Sequence, residues 1–393
     1  MATAVVVALL LAGGGGVLIG HQLSHGPAAA TGSPGTTAPS ITSPPSSSGG
    51  GAGGAGSGTL PGTTTPGSGG SATSGSSAAA AAIAKQVDGG LVDINTVLSY
   101  QSEEAAGTGM VLTPTGEILT NNHVIEGATS ISVTDIGNGR TYSANVVGYD
   151  PSEDVAVLQL VGASGLKTVD LGNSSTVAVG QDVVGIGNAN GAGGTPSYAA
   201  GAVTATDQSI TASDQSSGAS EQLTGLIETN AAIIPGDSGG PLVNRNGQVL
   251  GMDTAGSTGF QFQASATQAY AIPINTADSL AQQILAGSAS STVHIGATAF
   301  LGVEVEPASA GGFGSSTSGA LIAGVVSGGP ASDAGLAVGD TITSVAGQNI
   351  ASPTTLGTLI LGEKPGDSAL VTYLTPSGQQ ATTTVTFASG PPQ

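Results

Sequence analysis

Gly236-Asp237-Ser238-Gly239-Gly240-Pro241-Leu242 sets one serine hydroxyl between glycines, where it can meet a reactant with little steric cover. A serine hydroxyl is a weak nucleophile at neutral pH. It needs an adjacent base, and that base needs a carboxylate to hold its tautomer. The chain has four histidines, and His21 and His25 fall in a low-complexity tract. Only His123 closes an apolar, strand-like run, Leu119-Thr120-Asn121-Asn122-His123-Val124-Ile125. Downstream, Asp154 opens Val155-Ala156-Val157-Leu158-Gln159-Leu160, where a buried orienting carboxylate belongs, whereas Asp150 precedes Pro151 and reads as a turn residue. The set predicts acyl transfer with Ser238 as nucleophile, His123 as general base and Asp154 as orienting group. The glycines let the loop turn tightly and offer the Gly236 and Ser238 N–H groups to a tetrahedral oxyanion, with Asp237 ordering the loop.

The chain order His123, Asp154, Ser238 resembles that of the chymotrypsin fold, since subtilisin and α/β-hydrolases use other orders. Gly107-Thr108-Gly109-Met110-Val111-Leu112, Thr229-Asn230-Ala231-Ala232 and Gln268-Ala269-Tyr270-Ala271-Ile272-Pro273 narrow the resemblance to the HtrA (DegP/DegS-like) family, over roughly residues 81 to 388. The resemblance implies two six-stranded barrels, His123 and Asp154 in the first and Ser238 in the second. It also implies that the floor of the primary specificity pocket lies six residues before the nucleophile, at Ala232. Without an acid there, and with Ile233 beside it, the pocket is expected to take Val, Ala or Leu rather than Lys or Arg. Two departures stand out. HtrA proteins often carry Asn at the position of Asp237, and many carry an Arg near the position of Gln208 that helps switch the activation loops.

The elements that must position these groups are short. Val/Ile/Leu/Thr runs alternate with Gly-, Asn- and Asp-containing turns from about Ala81 to Ala286, which predicts a mainly β barrel or sandwich domain. Glu103-Glu104 reads as a loop pair and His294 as a surface residue opening the next domain. After Ser288-Ala289-Ser290-Ser291-Thr292 come Phe300-Leu301-Gly302-Val303, Ala320 to Val326 and Pro330 to Ile342, which resemble an α+β PDZ domain. That resemblance implies a peptide C-terminal carboxylate held by backbone N–H groups of Phe300, Leu301, Gly302 and Val303. The following strand pairs with the peptide, and a helix around Thr354 to Leu361 forms the other wall.

Composition bounds the rest. Gly supplies 66 of 393 residues and charged residues only 8%, so part of the chain is not packed core. From His21 to about Ala80 it is almost entirely Gly, Ser, Thr, Pro and Ala with no Asp, Glu, Lys or Arg, which predicts a disordered linker. Ala2 to Gly20 is an uncharged apolar run of about 19 residues, close to the roughly 20 that span a bilayer. It reads as a single-pass transmembrane or signal-anchor helix, or as a signal peptide cut near Ala28-Ala29-Ala30. Zero cysteines exclude disulfides and thiol catalysis, and no phosphate-binding Gly-Lys-Ser/Thr loop is present, so no cofactor or metal is expected. A formal charge of −20 with five basic residues argues against nucleic acid and anionic lipid surfaces and favours protein partners.

The expected organisation is therefore residues 1–20 as membrane segment, 21–80 as linker, 81–287 as protease domain and 294–389 as PDZ domain. The expected activity is ATP-independent endoproteolysis of misfolded or signalling proteins on the extracytoplasmic side of a bacterial membrane. The alternative is a catalytically silent peptide-binding or chaperone-like scaffold. The resemblance also implies a homotrimer, although Ala78 to Val97 lacks the aromatic residues that such packing uses.

Overall fold

The computed structural model describes residues 5–7, 74–100, 103–213, 220–254, 268–308 and 318–392. Along the chain, β1 (Val5–Val7) is followed by α1 (Ser74–Val87), then β2 (Leu91–Leu98), β3 (Glu103–Val111) and β4 (Glu117–Thr120). The short α2 (Asn122–Ile125) leads to β5 (Ser130–Asp135), β6 (Thr141–Asp150) and β7 (Val155–Leu160). β2 to β7 close into a six-stranded antiparallel barrel, because β4 pairs with β7 and β7 pairs with β6. The second unit of strands is β8 (Asp170–Leu171), β9 (Asp182–Gly187), β10 (Ser197–Ser213), β11 (Ser220–Thr229), β12 (Pro241–Val243), β13 (Gln248–Thr254) and β14 (Ala269–Pro273). β9 to β14 close a second six-stranded barrel through the β12–β13 and β12–β9 pairs, and β8 adds in parallel to β13. Closure removes the exposed strand edges.

The sequence of the first barrel explains how the two barrels meet. Its strands are apolar on both faces. Val92, Val111, Ile118, Ala156 and Leu158 fill the barrel interior. Their immediate neighbours Leu91, Met110, Leu119, Val155 and Val157 point the other way and pack with Val184, Ile186, Val243, Val249 and Met252 of the second barrel. Successive strand side chains alternate faces, so one register supplies two cores, and each fully buried aliphatic chain contributes about 2 kcal/mol. Glu103 and Glu104 belong to β3 rather than to a loop.

α3 (Ile274–Leu285) closes the second barrel and β15 (His294–Ile295) pairs with β6. The C-terminal domain follows as β16 (Thr298–Phe300), β17 (Val303–Pro307), β18 (Ala320–Val325), α4 (Pro330–Asp333), β19 (Thr341–Val345), β20 (Gln348–Asn349), α5 (Pro353–Leu361), β21 (Ser368–Leu374), β22 (Gln380–Thr386) and β23 (Ala388–Gly390). Its core gathers Leu301, Val303, Val305, Ile322, Leu356 and Ile360 between the sheet and α5. The Tyr149 hydroxyl meets Thr298 Oγ1 at 2.9 Å, and Gly127 N–H donates to Pro392 O at 2.9 Å, tying this domain to the first barrel. His294 is half-buried at this junction rather than on the surface, with its ring centroid 5.0 Å from that of Tyr149, and burial lowers its pKa.

Two expectations about the N-terminus change. Of the apolar run expected as a membrane helix, the described residues Val5–Val7 form a strand that lies antiparallel on β17, Val5 opposite Val305 and Val7 opposite Val303. No helix among the described residues is long and apolar enough to cross a membrane. The rest of residues 1–20, and residues 21–73 of the expected linker, lie outside the described residues. α1 begins at Ser74, inside the stretch whose composition reads as linker, because its Ala run favours helix and buries Ala80, Ala84 and Val87 against the second barrel.

Candidate active site

His123 is the second residue of α2, directly after β4, and its backbone is fixed by the group that orients its ring. Asp154 Oδ1 accepts from His123 N–H at 3.0 Å, while Nδ1 of the ring lies 2.8 Å from Oδ2 and 3.0 Å from Oδ1. Asp154 is 4% exposed and adopts a left-handed φ of +52° at the end of a 3₁₀ turn, Pro151–Glu153. Asp150 builds that turn by accepting from Ser152 N–H at 3.0 Å and Glu153 N–H at 3.3 Å, a capping part rather than a catalytic one. Thr254 Oγ1, reaching over from β13, donates to Asp154 Oδ2 at 3.1 Å, and Asn121 Nδ2 donates to the Asp154 carbonyl at 2.9 Å. A carboxylate so held keeps His123 Nε2 facing away as the acceptor.

The Ser238 loop is built from backbone. Thr108 N–H donates to Ser238 O at 2.8 Å and Gly239 N–H to Asp253 O at 2.8 Å, while Asp253 N–H donates to Gly240 O at 2.7 Å. Asp253 precedes Thr254 on β13, so one strand grips both the serine loop and the Asp154 carboxylate. Gly239 sits at φ +82°, and a Cβ there would lie 2.1 Å from Thr108 O and 2.3 Å from Thr120 Oγ1, so no side chain fits. Gly236, at φ +96°, is equally confined by Asn188 O, 2.2 Å from where its Cβ would be. Asp237 turns inward, where its Oδ2 accepts from Ile234 N–H at 3.0 Å and its Oδ1 from Ser197 Oγ at 3.3 Å. Burial raises its pKa to about 6. Behind it, burial first and the charge of Asp237 second hold the Asp253 carboxyl well above the usual carboxylate range.

Ala232 is exposed on the loop before Ser238, and the Ile233 side chain packs against Gly185 of β9. Residues 255–267, the segment that follows β13, lie outside the described residues. In the C-terminal domain the side chains of Phe300, Leu301 and Val303 are buried, 3%, 0% and 1% exposed, so what this tetrapeptide can offer a ligand is backbone. Gly302 has φ +77°, and its carbonyl and that of Leu301 are taken by Val326 and Ala331 N–H groups. Sequence reasoning missed Thr108, Thr120, Asp253 and Thr254. The only signal for them was Thr108 inside the Gly107-Thr108-Gly109 motif, since a supporting hydroxyl carries no motif of its own. Gln208 bonds to Thr206 O of its own strand.

Comparison with known proteins adds what geometry alone does not. Residues 107–252 match the trypsin-like peptidase domain and residues 299–386 the PDZ domain. Serine protease PepD of Mycobacterium tuberculosis is 35% identical over 321 residues, covering 78% of this chain and 65% of that protein. A probable periplasmic serine endoprotease DegP-like of Halomonas elongata is 34% identical over 301 residues, covering 74% of this chain and 58% of that one. The chain belongs to the HtrA family of serine proteases. It spans about two thirds or less of the length of these relatives. Among solved structures, the HtrA-type protease AlgW with tripeptide aligns at a TM-score of 0.45 and 29% identity, over 80% of this chain and 98% of that one. The trypsin-like peptidase match falls on the two closed barrels and the PDZ match on the sheet domain after them.

Proposed function

We propose that this HtrA-family chain is a serine endopeptidase that cleaves unfolded or misfolded proteins outside the cytoplasm without ATP. Ser238 Oγ attacks the scissile carbonyl as His123 Nε2 takes its proton, and the imidazolium is stabilised by Asp154. The developing oxyanion is received by the Gly236 and Ser238 N–H groups. His123 then protonates the leaving amine, and a water activated by the same base hydrolyses the acyl-enzyme. The observation that carries this reading is the His123–Asp154 pair at 2.8 Å, tied through Thr254 and Asp253 to the loop that bears Ser238.

Peptide C-termini are captured at Phe300 to Val303, with the carboxylate on backbone N–H groups and the peptide added as a strand on β17. In support, Val5–Val7 lies antiparallel on β17 from outside the domain, so this side of β17 accepts an added strand, and a bound peptide would take the place of Val5–Val7. Relatives named as periplasmic support an extracytoplasmic catalytic domain. The pocket at Ala232 and Ile233 takes Val, Ala or Leu.

Casein cleavage by the purified full chain and by Ser238→Ala tests the reading, with and without a hydrophobic C-terminal peptide. Activity falling roughly 10⁶-fold in the variant is expected, and the peptide should raise the wild-type rate. Equal activity in both proteins, or none in either, would turn the reading toward a binding scaffold.

A further inference from the structure

Opposite one another on β2 and β3, Asp93 and Thr108 form a cross-strand pair, 3% and 1% exposed. They receive the two ends of a loop that belongs to the second barrel. Asn188 N–H donates to Thr108 Oγ1 at 2.8 Å, and Gly194 N–H donates to Asp93 Oδ2 at 3.0 Å. Inside the loop, Gly193 N–H donates to Asn188 Oδ1 at 2.7 Å. Asn190 stands at φ +58°, a left-handed conformation that Asn tolerates better than most residues, and Gly191 N–H donates to Asn188 O at 2.8 Å. The loop is thus a local turn, and Thr108 and Asp93 fix its two ends to the first barrel.

What the loop does with that shape is specific. Asn190 N–H donates to Pro235 O at 2.7 Å, and Pro235–Gly236 is the peptide that carries the first oxyanion donor. In a trans peptide the C=O and N–H point in opposite directions. Fixing the Pro235 carbonyl on Asn190 therefore turns the Gly236 N–H the other way, and among the described residues that N–H has no acceptor. Thr108 Oγ1 completes the hold by donating to Gly236 O at 2.8 Å. A buried carboxylate costs desolvation energy, which barrel packing alone would not require, because an apolar residue would fill the same strand position.

We propose that Asp93 is a positioning residue for the oxyanion hole, acting from the first barrel through residues 188–194 on the Pro235–Gly236 peptide. The inference rests on the reading of Ser238 as the nucleophile. Loss of a single oxyanion donor costs about 10²- to 10³-fold in kcat, so loosening one through its support is expected to cost roughly 10- to 100-fold.

Asp93→Ala and Asp93→Asn in the full chain test it, each assayed well below its own melting temperature. In Asp93→Ala, kcat for a peptide substrate falls by that factor while KM stays within about threefold. Asp93→Asn keeps an acceptor for Gly194 N–H and recovers most of the rate. Hydrogen exchange read by mass spectrometry rises in Asp93→Ala over 188–194 and 233–238 together, with β2 and β3 unchanged. A kcat within twofold of wild type in Asp93→Ala would overturn the proposal. So would equal loss in both variants, or deprotection confined to 188–194. The exchange measurement does not need turnover. If Ser238 proves inert and the functional reading falls, joint deprotection of the two segments still supports the clamp and its absence still sinks it.

Discussion

The acid–base half and the oxyanion half of the proposed site are held by different means. His123 and Asp154 are joined by their own side chains, with one carboxylate serving the ring, the backbone N–H of the same histidine and a threonine hydroxyl. The donors of the proposed oxyanion half are backbone N–H groups. Their direction is set by which carbonyls are occupied, Pro235 O by Asn190, Gly236 O by Thr108 Oγ1 and Ser238 O by Thr108 N–H. Chemistry that needs a proton acceptor is thus written in residue types, whereas chemistry that needs an aimed N–H is written in the surroundings. Damage to the first half should remove a reactant, and damage to the second should misdirect a donor.

Three substitutions sharpen that contrast, from the largest effect to the smallest. Asp154→Asn leaves the shape but offers His123 the wrong partner, and kcat should fall about 10⁴-fold; single-turnover acylation measured on intact protein checks it. Gly239→Ala puts a methyl 2.1 Å from Thr108 O, so the strand must shift. Unfolding free energy should drop by about 3 kcal/mol or more, read from urea denaturation. Thr254→Val removes one of the bonds to Asp154 Oδ2 while the backbone bonds of β13 persist. A loss of about 10-fold or less in kcat is expected, with a KM near that of wild type.

A pH experiment probes the buried carboxyls behind the serine loop while leaving His123, Asp154 and Ser238 in place. Asp237 and Asp93 each have their pKa raised by burial, from 3.8 to about 6. A carboxyl with a raised folded-state pKa favours the folded state when protonated. Its contribution is complete below about 3.8 and is lost as pH rises through about 6. Replacing Asp237 by Asn removes that loss, so the variant should gain stability over wild type at pH 7.5, by about 1–3 kcal/mol, and lose the advantage near pH 4. Comparing denaturation midpoints of the two proteins at each pH cancels the groups that do not sense Asp237, whereas the neighbouring Asp253 carboxyl shifts together with it. A pH-independent difference would contradict the buried-carboxyl account.

Much of this molecule was legible before any coordinates. Glycines around Ser238, the apolar run ending at His123 and the strand opened by Asp154 each carry a local signal, and frequent short strands announce barrels. What was not legible follows from the same physics. The double use of strands such as Leu91–Leu98, one face for the barrel and one for its neighbour, depends on closure and not on composition. Ala78 to Ala82 falls in a low-complexity tract, yet tertiary packing of Ala80 and Ala84 makes helix of it. Asp93 lies in an ordinary strand pattern, and only the arrival of Gly194 from another barrel gives it meaning.

The claim that both halves converge on one hydroxyl is tested most directly by treating the full chain with a fluorophosphonate and locating the adduct by mass spectrometry. Attack by an activated serine on phosphorus expels fluoride and leaves a stable ester, so the label reports the nucleophile without any knowledge of substrate. One adduct on Ser238, absent from Ser238→Ala and slowed strongly in Asp154→Asn, is the predicted result. An unlabelled protein, or a label on any other residue, would contradict the account.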